Sequence, residues 1–93
     1  MTIAGATKSI GAADTFSNWV ILRGKFNFSL SGTWVATVHI QRSFDKGVTP
    51  LDVEDFTSNI EKIGEEPESN VCYRFGVKAG NYTSGPVVGR IGQ

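Results

Sequence analysis

Alternation with a period of two constrains this chain more than any other feature, because only a β-strand sends successive side chains to opposite faces. Trp34, Ala36, Val38 and Ile40 fall on one side of a run whose other side carries Val35, Thr37, His39 and Gln41. Phe26, Phe28 and Leu30 alternate with Lys25, Asn27 and Ser29. Val71, Tyr73, Phe75 and Val77 alternate with Cys72, Arg74, Gly76 and Lys78. These three segments predict half-buried strands, with Phe26, Phe28, Trp34, Val38, Ile40, Tyr73, Phe75 and Val77 in the core. Weaker runs at Asn18 to Leu22, Leu51 to Phe56, Ile60 to Ile63 and Val87 to Ile91 bring the expected number to seven or so.

Turn chemistry separates the runs. Ser31-Gly32 fits a tight hairpin, and Asp45-Lys46-Gly47 fits a type I turn with glycine in the left-handed position. The acidic stretch Glu65-Glu66-Pro67-Glu68 and the segment Asn81 to Pro86 are expected to be loops. No helical stripe competes, since Val53 to Ile63 carries Thr57, Ser58 and Asn59 at its centre. The expected fold is all-β: a single β-sandwich, jelly-roll or Ig-like, of about seven to eight antiparallel strands.

Ninety-three residues suit one domain, with a core thin enough for partner contacts to matter to stability. Residues 1–15 depart from the pattern. They are dominated by Gly, Ala, Ser and Thr, with Ile3 and Ile10 as the sizeable apolar side chains beyond Met1, and cannot offset their own ordering entropy. They are expected to form an extended N-terminal arm, lying on a neighbouring subunit rather than on the domain 16–93, with Ile3 and Ile10 as partner-binding anchors.

Nine bases balance nine acids, which argues against nucleic acid or an anionic membrane as partner. Residues 1–50 hold five bases and two acids, residues 51–93 four bases and seven acids, an asymmetry that suits complementary faces in an assembly. No signal peptide and no membrane span is visible, so a soluble protein made in a cytoplasm is expected.

Candidate chemistry is sparse. A lone Cys72 excludes an intrachain disulfide and a cysteine-based zinc site, and nothing beside it in sequence activates the thiol, so it is expected to pack. His39, the one histidine, has no Ser, Cys or acid at a motif spacing and is expected on the sheet surface. Asp52, Glu54, Asp55, Glu65, Glu66 and Glu68 match no calcium loop and suit a solvated edge. Dispersed glycines form no phosphate loop. Of the aromatics that stack on sugars, Trp19, Trp34 and Tyr73 fall within strand patterns, leaving Tyr82 as the candidate loop contact. No catalytic residue, metal ligand or cofactor is expected.

Two resemblances follow from the residues. Ser43-Phe44-Asp45-Lys46-Gly47-Val48-Thr49 resembles the Asp-box, a hairpin whose Ser and Asp side chains tie down the turn, with Pro50 where that motif carries Trp. A wider pattern covers residues 19–93: Leu22-Arg23-Gly24-Lys25-Phe26-Asn27, Ser31-Gly32-Thr33-Trp34-Val35-Ala36-Thr37-Val38, Gln41-Arg42-Ser43, Glu65-Glu66-Pro67-Glu68, Tyr73-Arg74, Tyr82-Thr83-Ser84-Gly85 and Arg90-Ile91-Gly92-Gln93. It resembles small proteins encoded among the structural genes of tailed phages and prophages, of head-decoration, fibre-base or tail-associated type. That resemblance implies a non-enzymatic virion protein, most readily a capsid decoration protein that binds the assembled head. Its partners would be the major capsid protein or other virion subunits, and it would form homo-oligomers, trimers being common in such proteins. The alternative is a carbohydrate-binding β-sandwich module or a tail-associated receptor-binding module.

Overall fold

The computed structural model describes residues 5–93. Its strands are β1 (Gly5–Ile10), β2 (Thr15–Phe16), β3 (Val20–Ser31), β4 (Val35–Ala36), β5 (Val38–Ser43), β6 (Leu51–Phe56), β7 (Ile60–Val77), β8 (Tyr82–Ser84) and β9 (Val87–Gly92). Every pairing is antiparallel. A seven-stranded sheet runs in the order β1-β9-β3-β7-β5-β6, with β2 also on β7, and β4 with β8 forms a separate ribbon. The fold is all-β, as the alternation predicts, and is consistent with a single β-sandwich.

The two layers are one sheet bent back on itself, and the bend lies in β7. Its first half pairs with β3 from Ile60↔Leu30 to Glu66↔Gly24, and its second half pairs with Val20 to Leu22 and, on its other side, with β5. Between the halves Pro67, Glu68, Ser69 and Asn70 stand opposite Arg23 alone, a bulge wide enough to turn the strand. The expected acidic loop is therefore a bend inside one 18-residue strand. Proline is tolerated because it sits in the unpaired bulge, where no ladder bond needs its missing N–H. Asn70 (φ 63°) and Gly24 (φ 76°) absorb the left-handed conformations on the two strands.

Folding back brings the strands' inner faces together. The Phe28 ring lies 5.4 Å from that of Phe56 and 5.5 Å from that of Phe75. Phe75 fills the space above Gly89 of β9, where any side chain would collide with its ring. Val38, Ile40, Phe28, Tyr73, Phe75 and Val77 are buried as expected, whereas Phe26 and Trp34 are half-buried and flank the cluster.

Two expectations are corrected. Residues 5–10 are not an arm set apart from the domain 16–93: they form the edge strand β1, in register with β9 from Gly5↔Gly92 to Ile10↔Val87. The ladder to the chain's own C-terminal strand offsets the ordering cost that seemed to require a neighbour. Ile10 is fully buried in the chain's own core, which removes it as an intermolecular anchor. Ile3 lies outside the described residues.

Candidate functional site

β6 and β7 are consecutive in the chain, joined through Thr57, Ser58 and Asn59, yet no ladder joins them. They stand more than 8 Å apart, Cα to Cα, over most of their length. Paired strands bring opposed Cα atoms to roughly 4.5–5.5 Å, so this seam of the folded sheet is open. Across it the Lys62 ammonium holds the Glu54 carboxylate, with Nζ 2.5 and 2.6 Å from the two oxygens. Beneath that ion pair lies a cleft of about 150 Å³ lined chiefly by Phe26, Phe28, Ile40, Val53 and Tyr73.

Tyr73, which lines the cleft, also reaches a buried polar group. Glu66, at the bend of β7, is 1% exposed. Tyr73 donates its hydroxyl to Oε1 at 2.7 Å, Arg42 donates Nη2 to the same oxygen at 2.5 Å, and the backbone N–H of Glu68 donates to Oε2 at 3.0 Å. Burial pushes the Glu66 carboxyl up; the three donors together outweigh it and hold it below its ordinary value, ionised. Tyr73 is pushed up to about 12 by burial and by the adjacent carboxylate. The Arg42 guanidinium lies 4.6 Å over the ring of Phe44. The expected solvated edge thus holds for the exposed Glu65 and Glu68 but not for Glu66.

The opposite face of β5 and β7 carries a second polar row. His39, expected on the surface, is 5% exposed. The Nδ1–H tautomer satisfies both its neighbours: Nδ1 donates to Asp55 Oδ1 at 2.6 Å, and Nε2 accepts from Asn81 Nδ2 at 2.9 Å. It is buried because the turn before β8 folds over β5, anchored by Thr37 N–H donating to the Asn81 carbonyl. Next along the face, Gln41 donates to Asp52 and accepts from Arg74 Nε, while Lys78 donates to the other Asp52 oxygen. The Arg74 guanidinium is stacked 4.1 Å from Phe16 and 4.6 Å from Trp19. Trp19 in turn lies against Gly47 of the Asp-box-like hairpin, which leaves no room for a side chain there.

That hairpin is built as its resemblance implies. Ser43 Oγ donates to Asp45 Oδ1 and accepts from Gly47 N–H, and Asp45 Oδ1 accepts from Thr49 N–H. The hydrogen bonds from Ser43 and Thr49 lower the Asp45 carboxyl to about 2. Lys46 (φ 60°) and Gly47 (φ 92°) take the left-handed turn positions.

Chemically the two rows differ from a catalytic constellation. The free nitrogen of a general base faces a nucleophile, whereas His39 Nε2 faces the Asn81 amide. Ser43 is committed to its hairpin, and Cys72, opposite it on β7, is buried. Among the described residues no cluster of His, Cys, Asp or Glu is placed to hold a metal ion. Tyr82, the expected loop contact, lies on β8, half-buried against the core with its hydroxyl over Gly85. A shallow groove of about 390 Å³ lies instead beside Trp34, Thr37, Thr57, Asn81 and Thr83. Neither Glu66 nor the seam was legible in the sequence: Glu-Glu-Pro-Glu has the composition of a surface loop, and a missing ladder leaves no mark on either strand. No protein-family model, curated protein or solved structure matches this chain.

Proposed function

We propose that the chain is a non-enzymatic structural protein of a phage virion, a capsid decoration subunit that binds the assembled head and stabilises it through subunit contacts. The observation that carries this reading is a set of apolar side chains exposed around the hairpin and the edge strand β6. Phe44 and Val48 are 55% and 80% exposed, Leu51 and Val53 43% and 48%. Apolar side chains grouped on a small domain serve contact with another surface better than solubility. The buried His39 and Glu66, groups that catalysis would draw on, are instead held by neighbours. The partners on this reading are the major capsid protein or other virion subunits, with copies of the chain meeting as a homo-oligomer. Particles purified by density gradient from a host carrying the gene test it. The chain is expected in the particle band in fixed ratio to the shell protein; its confinement to the unassembled fraction would overturn the proposal.

One observation favours a second reading, a carbohydrate-binding module. The groove beside Trp34 combines an aromatic ring with the hydroxyls of Thr37, Thr57 and Thr83 and the amide of Asn81, the groups that grip a sugar. Saturable binding on a glycan array, lost in Trp34→Ala, is the outcome that supports it.

A further inference from the structure

We propose that the open seam between β6 and the first half of β7 accepts an extended strand from a partner protein, apolar on its inward side and basic on its outward side. The proposal rests on the reading of the chain as a binding module and is independent of where in a virion, or elsewhere, it acts.

The width of the seam is the first argument. Two strands that flank a third lie about 9.5 Å apart, twice the spacing of neighbours in a sheet. β6 and β7, consecutive in the chain, exceed 8 Å over most of their length. Among the described residues β6 pairs with β5 alone and residues 60–66 of β7 with β3 alone, so each keeps a row of N–H and C=O groups outside any ladder. An inserted strand would satisfy both rows, the mode of recognition in which main-chain bonds give affinity and side-chain pockets give specificity.

The side chains say which strand. Inward-facing positions of the insert would meet Phe26, Phe28, Ile40 and Tyr73, an apolar cleft of about 150 Å³. Outward-facing positions would lie between Asp55 of β6, which shares the face of His39, and Glu61 and Glu65 of β7, which alternate with the inward Lys62 and Gly64, while Asp52 beside them is already paired with Lys78. Basic side chains complement that rim. Lys62 spans the opening, pairing with Glu54 and lying 5.7 Å over the Phe56 ring, and with the Lys62 and Glu54 side chains both more than 40% exposed the ion pair is a weak closure. A second copy of the chain would bring the same acidic seam, and its free edge β1 offers one base, Lys8, which is why the occupant is a different protein.

The test uses the full chain and a blocked synthetic peptide, Lys-Val-Lys-Ile-Lys-Val, followed by NMR and amide hydrogen exchange. Saturable binding below about 1 mM is expected, with new protection of amides in 51–56 and 60–66 and none in β1. Binding should weaken about tenfold or more for the charge-reversed peptide Glu-Val-Glu-Ile-Glu-Val, and likewise for Val53→Arg, whose partly exposed site tolerates the change without unfolding. No binding at 1 mM, equal binding of the charge-reversed peptide, or protection elsewhere would overturn the proposal. Peptide binding by a chain absent from particles would sustain the seam and remove the virion reading. A chain present in particles with an unprotected seam would do the reverse.

Discussion

Tyr73 and Glu66, seven residues apart on one strand, meet through a 2.7 Å hydrogen bond because β7 folds back between them. The bond closes the bend from inside: the hydroxyl belongs to the second half of the strand and the carboxylate to the end of the first. Tyr73→Phe leaves a buried carboxylate short of one donor and is expected to cost about 1 to 3 kcal/mol in urea unfolding. Glu66→Ala strands the Arg42 head group and the hydroxyl together and should cost about 3 to 5 kcal/mol. An unchanged midpoint in both variants would show that the bend does not depend on the network.

The same pair contributes to the pH dependence of the fold on both flanks. Glu66 is held below its ordinary value, so its contribution is present above the usual carboxylate range and is lost as pH falls through the lowered value. Tyr73 is raised to about 12 in the fold, so its contribution is intact below its ordinary value near 10 and is lost as pH rises from there toward 12. Unfolding midpoints measured across pH are expected to decline on both flanks, and Tyr73→Phe should flatten the alkaline one.

Asp45 offers a local readout of the hairpin. By NMR its carboxyl is expected to titrate at about 2, and to return toward 3.8 in Ser43→Ala, which removes the first of its donors. Because this carboxyl is lowered in the fold, the support it gives is complete above 3.8 and is lost as pH falls through about 2. Faster amide exchange confined to residues 43–49 should accompany the substitution.

Gly89 is a steric necessity. Gly89→Ala drives a methyl into the Phe75 ring and is expected to destabilise by about 1 to 3 kcal/mol, since a close-packed core yields little. Combining it with Phe75→Leu should cost less than the two single changes added together, because the smaller side chain removes the collision.

Ile10 separates a structural strand from an assembly arm. Buried in the core, it should cost about 2 to 5 kcal/mol when replaced by Ala in the isolated protein. A free arm would leave the melting temperature unchanged, so thermal unfolding of Ile10→Ala decides between the two roles.

Local periodicity determined the strands. Phe28, Val38, Ile40, Phe75 and Val77 announce themselves because alternation is a property of neighbouring residues, and each is buried where the alternation puts it. Gly32 and Gly47 mark their turns for the same reason, both adopting positive φ. What the sequence could not disclose depends on which segments meet. Residues 5–10 look unable to order themselves until β9, at the other end of the chain, offers its edge. His39 stands on the polar side of its strand, and only the return of Asn81 over β5 buries it. Glu66 has the sequence context of a solvated acid, and a bulge that turns β7 inward carries it to Arg42 and Tyr73. Alternation fixes which side of a strand a residue occupies; whether that side meets water, an aromatic core or an open seam is decided by the bend of the sheet, because burial is a relation between strands distant in sequence.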